Sequence, residues 1–373
     1  MPGIYIHIPF CRKACHYCNF HFSTNTKQIQ AMSEAIVHEA ELRKDYISGK
    51  VETIYFGGGT PSLLPLEDLS KLIATFKKLF DVDPDAEITL ESNPDDITAE
   101  KLAGWKEAGV NRLSIGIQSF FEEDLKWMNR AHNATQAEAC IHLAHQAGFD
   151  NLTIDLIYGT PTLTDEQWKH NVDKALSLGI THLSCYALTV EAKTALADMI
   201  KKHRIEDVSA DKQGHQFELL MQWMQEAGWE HYEISNFAKP GHRSRHNSSY
   251  WKGASYLGLG PSAHSFNGTS RQWNVANNAL YLKSIEQNIV PFEIEQLTPE
   301  QQLNEYIMTS LRTMEGLSVP YVQLHWSDKQ AEEIVRDAEK FLQHNLMEHK
   351  NDRLILTQKG KLMADGIAAD LFR

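Results

Sequence analysis

The 373-residue sequence is sparing with cysteine, has no surplus of positive charge and contains no long apolar run, and each shortage excludes a class of protein. Only five cysteines occur, three of them between positions 11 and 18. A secreted domain framed by disulfides spreads more of them along a shorter chain, so reduced thiols acting as metal ligands fit better. The formal net charge of −13 and a pI near 5.8 provide no broad cationic field for a phosphate backbone or an anionic membrane surface, and nucleic acid is not an expected partner. No stretch approaches the roughly 18 apolar residues of a membrane span. The opening MPGIYIHIPFC lacks a basic region followed by an apolar one, so no secretory leader is expected and a cytoplasmic location is. With 42% apolar residues the chain can bury a substantial core, enough for one large domain and a smaller one.

Strand-like runs recur with helical patterns between them: IYIHIPF (4–10), TIYFGG (53–58), EITLESN (87–93), RLSIGIQ (112–118), LTIDLIY (152–158) and HLSCYALT (182–189). The connecting segments space apolar residues by three and four, as in Leu69, Leu72, Ile73, Phe76, Leu79 and Phe80. Alternation of this kind predicts parallel strands joined by crossover helices. Six units fall short of the eight of a closed barrel, so the expected fold is α/β, a partial (β/α)6 TIM-like barrel, with a doubly wound open sheet as the alternative. The expected division is 1–230 for the barrel, 231–296 for an irregular segment rich in His and aromatics that completes the core, and 297–373 for a separate unit. In that last unit Thr298 is the expected N-cap, with Pro299 in the first turn and Gln301 closing a capping box. A helix from Ser327, the hairpin LMEHKNDRLILT and a last helix from about Lys359 predict a mostly helical, winged-helix-like module. Its 12 acids against 9 bases argue against DNA binding.

CRKACHYCNF follows the first strand, at the end of a β/α barrel where the chemistry gathers. CHYC alone is compatible with a redox pair, and Cys11, Cys15 and Cys18 with His16 or His21 are compatible with zinc, although structural zinc sites usually combine two separated ligand pairs. Cys140 and Cys185, in a predicted helix and strand, are expected to pack in the core. The remaining reading is a 4Fe-4S cubane on three thiolates with one iron left open.

The spacing C-x3-C-x2-C with an aromatic before the third cysteine, carried by Cys11, Cys15, Tyr17 and Cys18, resembles the radical S-adenosylmethionine superfamily. The resemblance implies that the amino and carboxylate groups of S-adenosylmethionine complete the fourth iron. It also implies cosubstrate contacts from Gly58, Gly59 and Thr60 in GGGTPS, from Gln118 and Arg130, and from Tyr5 and Ala187. Glu91 and Asp155 are carboxylates inside otherwise apolar strands, where an unpaired charge is costly, so each must meet a cation, hydrogen-bond donors or an open site. Arginine can grip a carboxylate with two donors, which suits Arg130.

Taken together, YIHIPFC, GGGTPS, GIQSF, IDLIYGTP and YLGLGPSAHSF resemble the oxygen-independent coproporphyrinogen III oxidase family along essentially the whole chain. The oxidase continues its motif to a fourth cysteine, where this chain has Asn19 and Phe20, and it carries an N-terminal extension that is not expected here because the first strand begins at residue 4. Both departures point away from oxidase activity and toward the oxidase-like HemW branch, interpreted as heme chaperones. That branch implies heme as a bound group, heme-accepting proteins and an electron donor as partners, and peripheral contact with membrane heme proteins. HNSSYW agrees, placing His246, a candidate ligand to heme iron, beside Tyr250 and Trp251, whose flat faces can stack on a porphyrin. His242 and His264 are nearby substitutes, and Arg243 and Arg245 are candidates for the heme propionates. A porphyrinogen oxidase and a zinc-stabilised binding protein remain as the alternatives.

Overall fold

The computed structural model describes residues 2–373. Six parallel strands lie side by side in chain order: β1 (Gly3–Ile8), β2 (Val51–Gly58), β3 (Val82–Ser92), β4 (Arg112–Gln118), β5 (Leu152–Tyr158) and β6 (His182–Ala187). Helices connect them, among them Ile29–Leu42, Leu66–Leu79 and Asp165–Ser177, the last opened by a capping box from Thr164 to Gln167. This is the expected α/β architecture, a curved parallel sheet that does not close.

The segment expected to be irregular is instead built into that sheet. β7 (Glu230–Glu233) and β8 (Asn236–Ala238) extend it beyond β6, while β9 (Tyr256–Leu259), β10 (His264–Phe266), β11 (Ser270–Asn274) and β12 (Phe292–Gln296) extend it beyond β1. The order is β12-β11-β10-β9-β1-β2-β3-β4-β5-β6-β8-β7, with β9 parallel to β1 and β8 antiparallel to β6. Strands of three to five residues carry too little alternation to be read as strands, which is why the sequence pattern lapses there. The outer strands are tied to the first helix from inside. Glu39, wholly buried, accepts from Tyr281 Oη (2.6 Å), Asn274 Nδ2 (2.7 Å) and the Gly260 amide (2.8 Å), and Arg43 bridges it to Ser265 and Gln272.

Residues 299–371 form their own apolar cluster around Leu303, Ile307, Ile334 and Leu354. The helix Pro299–Leu311 has the expected Thr298 cap with Gln301 completing the box, and the expected hairpin is β14 (Met347–Lys350) with β15 (Arg353–Leu356), joined in one sheet by the short β13 (Leu317–Ser318). The helix Val319–His325 was not anticipated, although Ser318 as cap and Pro320 in the first turn mark its start.

Along the parallel strands the two faces differ in chemistry. Ile4, Ile6, Ile8, Ile54, Phe56, Leu90, Leu113, Ile115 and Ile154 face the helices and are fully buried. The alternate positions Tyr5, Tyr55, Glu91, Ser114 and Asp155 face the lumen. At the far end from the cysteine loop the lumen is closed by polar pairing. Arg112 lies 3.7 Å from Glu87 and donates to Thr153, which pairs with His182 Nδ1 at 3.0 Å.

His246 belongs to this floor. The helix Arg245–Trp251 presents the Arg245 and His246 amides to Glu87 (3.0 and 3.2 Å), and its histidine is 1% exposed. Nδ1 pairs with Thr53 Oγ1 (2.7 Å), Nε2 with Tyr250 Oη (2.8 Å), and the ring stacks on Tyr55 at 4.8 Å. Both ring nitrogens are engaged, and the ring does not reach the surface. The neighbouring arginines are likewise engaged, Arg243 by Glu230 and Glu315 and Arg245 by Glu52. Replacing His246 by Ala leaves Thr53 and Tyr250 without their buried partner, and urea unfolding is expected to report a loss of about 2–4 kcal/mol; an unchanged midpoint would contradict this structural role.

Candidate functional site

The cysteine loop leaves β1 under firm local control. Pro9 and Phe10 pair with Ser23 across the base of the loop: the Ser23 amide donates to Pro9 O (2.9 Å) and the Cys11 amide to Ser23 O (3.1 Å). The far side is pinned by residues 127–130. The His16 amide donates to Met128 O, His16 Nδ1 meets Trp127 O at 2.9 Å, and Asn129 Nδ2 donates to Ala14 O at 2.7 Å. His21 is held by Asn278 at 2.7 Å. Each of the two histidines considered as zinc ligands has one ring nitrogen engaged in this way, and among the described residues no group of three or more His, Cys, Asp or Glu converges closely enough for a single ion.

Cys11, Cys15 and Cys18 are free, half-buried thiols lining a cavity of about 450 Å3 at the mouth of the barrel. Thr60 Oγ1 donates to Cys11 Sγ (3.4 Å) and Arg130 Nη1 to Cys15 Sγ (3.4 Å). Arg130 also donates through Nη2 to Asn93 Oδ1 and Gly116 O, both at 2.8 Å, while its buried Nε has no partner among the described residues. Burial pushes the Cys11 thiol up to about 11 against the easing effect of Thr60, and raises Cys18 for the same reason. Such thiols stay protonated until a metal takes them as thiolates, so loading the site releases protons. Three sulfurs, a guanidinium to offset their charge and a roomy cavity fit a cubane on Cys11, Cys15 and Cys18 better than one tetrahedral ion.

The GGGTPS turn forms the adjoining wall. Gly58 has a φ of +102°, and a Cβ there would lie 2.6 Å from the His7 ring; a Cβ on Gly59 would lie 2.6 Å from Phe10 O. Only glycine brings the backbone this close to the cysteine loop. Gln118 closes β4 with a φ of +66°, strain that side chains other than glycine rarely accept and that gathers at working sites. Glu91 accepts from Tyr55 Oη at 2.8 Å. Burial and the charge of Asp155 lift the Glu91 pKa to about 8, and burial lifts Asp155 to about 6 despite a hydrogen bond from Ser184. Two acids that resist ionising here would be stabilised by a bound ammonium or hydroxyl groups.

The cavity brings together Tyr17, Gly58, Gly59, Thr60, Glu91, Gln118, Arg130, Asp155 and Ala187 with the three cysteines. It does not include Tyr5, whose ring lines a neighbouring cavity, nor His246. Asn93, Ser114, Gly116 and Phe20 line it without having been anticipated. The first three were signalled by alternation, since Asn93 follows Glu91 by two and Ser114 and Gly116 precede Gln118 by four and two.

The Radical SAM superfamily profile matches residues 5–175, and the HemN C-terminal domain profile matches residues 297–363. A heme chaperone HemW of Mycobacterium tuberculosis is 35% identical over 99% of this chain and 94% of its own length. The heme chaperone HemW of Bacillus subtilis is 34% identical over 98% of each chain. Among solved structures, coproporphyrinogen III oxidase (HemN) from Escherichia coli, a radical SAM enzyme, superposes with a TM-score of 0.85 at 23% identity, covering 100% of this chain and 90% of its own, which supports the fold.

Two outcomes follow from the geometry. After oxygen-free reconstitution, Cys15→Ala removes bound iron and its broad visible absorption; Gly59→Ala greatly reduces both without removing a thiol, because its Cβ displaces the Phe10 backbone. Iron content equal to wild type in Cys15→Ala would overturn the ligand assignment, and in Gly59→Ala the role given to the glycine turn. The pH dependence of stability tests the lumen. Glu91 titrates near 8 when folded against an ordinary 4.5, so its contribution is fully present below 4.5 and fades as pH rises through 8. Urea titrations of cofactor-free protein are expected to show that decline between those limits, and Glu91→Gln to flatten it.

Proposed function

The chain belongs to the HemW heme chaperone family, and from that premise we propose that it binds heme and hands it to acceptor proteins, beside a 4Fe-4S cluster held by Cys11, Cys15 and Cys18 with S-adenosylmethionine at the open position. The observation carrying this reading is the three-thiol loop. It faces a cavity walled by the glycine turn, two buried acids whose ionisation is shifted upward and one arginine, and Asn19 and Phe20 stand where a fourth cysteine would be. When bound, such a cluster supplies one-electron chemistry. The protein's own contribution is positioning. Arg130 suits the cosubstrate carboxylate, the Cβ-free turn at Gly58 and Gly59 leaves room for close approach of its chain, and Glu91 and Asp155 suit its ammonium or hydroxyl groups.

Heme acceptors and an electron donor are the partners this reading requires. No helix among the described residues is long and apolar enough to cross a membrane, so exchange with membrane heme proteins would take place by peripheral contact from the cytoplasm. Oxidase activity has no support from the motif, which stops at Cys18.

The deciding experiment measures heme uptake and coproporphyrinogen III turnover on one anaerobically reconstituted sample. Stoichiometric heme uptake, passage of heme to an apo-acceptor and no protoporphyrinogen product are expected. Turnover, or failure to take up heme, would overturn the reading.

A further inference from the structure

We propose that the outer edge of β12 is a docking strip for an extended segment of a partner protein, one that alternates Lys or Arg with apolar residues and adds to the sheet as a further strand. β12 ends the sheet four strands away from β1, and all its residues, Phe292 to Gln296, are exposed. It pairs with β11 in antiparallel register, continued at either end by the Leu297 amide donating to Thr269 O (2.9 Å) and the Val275 amide donating to Pro291 O (2.8 Å). Hydrogen-bonded pairs in such a ladder fall at every second residue, so Glu293 and Glu295 spend their backbone groups on β11. Ile294 and Gln296 therefore turn both N–H and C=O outward, where no other strand among the described residues meets them. An edge left open in this way is a template for strand addition.

Side chains alternate along an extended strand, so the edge presents two different faces. Phe292 and Ile294 stand on the side of the helix Ile29–Leu42, 42% and 49% exposed, and the Arg43 guanidinium lies 5.9 Å from the Phe292 ring centroid and 4.5 Å from that of Tyr46. Ile289, 55% exposed, leads into the strand. Glu293 and Glu295 stand on the other side, opposite Trp273 and Arg271 of β11. Arg271 is taken by Glu305 at 2.5 Å, and Glu295 receives only a long contact from Gln301 (3.4 Å). Neither Glu293 nor Glu295 has an ion-pair partner among the described residues.

This pattern selects the occupant. A segment that pairs with Ile294 and Gln296 lays alternate side chains beside Phe292 and Ile294 on one face and beside Glu293 and Glu295 on the other. Apolar residues suit the first face. Lys or Arg suit the second, because opposite charges across a ladder are favourable and like charges are not. The main-chain bonds supply affinity and the two faces supply the choice of sequence and register.

Fluorescein-labelled peptides of about eight residues, titrated into the full-length protein, test the assignment. One alternates lysine and valine, one alternates glutamate and valine, and one sorts the lysines and valines of the first into separate blocks. The alternating lysine peptide is expected to bind about ten-fold more tightly than either of the others, and less tightly as salt is added. Ile294→Pro removes an outward N–H without touching the β11 ladder, and is expected to keep the urea midpoint and lose binding. Glu293→Lys combined with Glu295→Lys is expected to reverse the preference in favour of the glutamate peptide. Equal binding of the alternating and blocked lysine peptides, or unchanged binding by Ile294→Pro, would overturn the proposal. So would sedimentation showing an oligomer that Ile294→Pro dissociates, since a second copy would then fill the edge.

Discussion

One guanidinium holds the working end of the molecule together. Arg130 reaches Cys15 and Tyr17 in the loop after β1, Asn93 after β3 and the carbonyl of Gly116 in β4, so three separate segments share a single side chain. Its charge also sets the electrostatics of the mouth. Thiols raised by burial and carboxyls that resist ionising surround it, and it is the group that makes added negative charge from metal-bound thiolates tolerable. A lysine would meet these partners as a point charge and could not span them as a planar fork does.

The lumen that supports this arrangement runs against the usual economy of a parallel barrel, whose interior is normally filled with branched apolar chains. Here the apolar packing lies between sheet and helices, while the inward positions carry Tyr, His, Glu, Asp and Arg. Such an interior is stable only where each polar group finds a partner or a ligand. At the floor, partners are supplied by Glu87, Arg112, Thr153, His182 and the amides opening the helix Arg245–Trp251. At the mouth, Glu91 and Asp155 are less completely met, which separates the structural end of the lumen from the end that awaits a ligand.

Much of this was legible in the sequence because strong local signals agreed with the global fold. β4 and β5 match the runs RLSIGIQ and LTIDLIY residue for residue, and the cysteine spacing, the glycine turn and the lumen acids all fall at one cavity. What stayed hidden depended on contacts between distant segments. The aromatic motif around His246 reads as an exposed ligand set, yet its burial follows from Glu87 and Thr53, more than 150 residues earlier. The strands from β7 to β12 were missed because each is too short for alternation to register, and Tyr5 carried no local sign that its ring would turn toward a different cavity.

An open sheet of twelve strands leaves two rims of unpaired backbone, a hazard for growth into larger aggregates. They are managed differently. On the β7 rim, Tyr232 O accepts from the Met314 amide (3.0 Å) and the Ile234 amide donates to Arg312 O (3.1 Å), so the connection after the helix Pro299–Leu311 acts as a partial extra strand and the C-terminal unit seals that side. On the β12 rim every residue is exposed, and Glu293 and Glu295 flank Ile294, so a second copy approaching edge to edge would bring carboxylates against carboxylates. The C-terminal unit thereby serves solubility as well as its own core, and the acidic balance of the chain has one of its uses at the opposite margin.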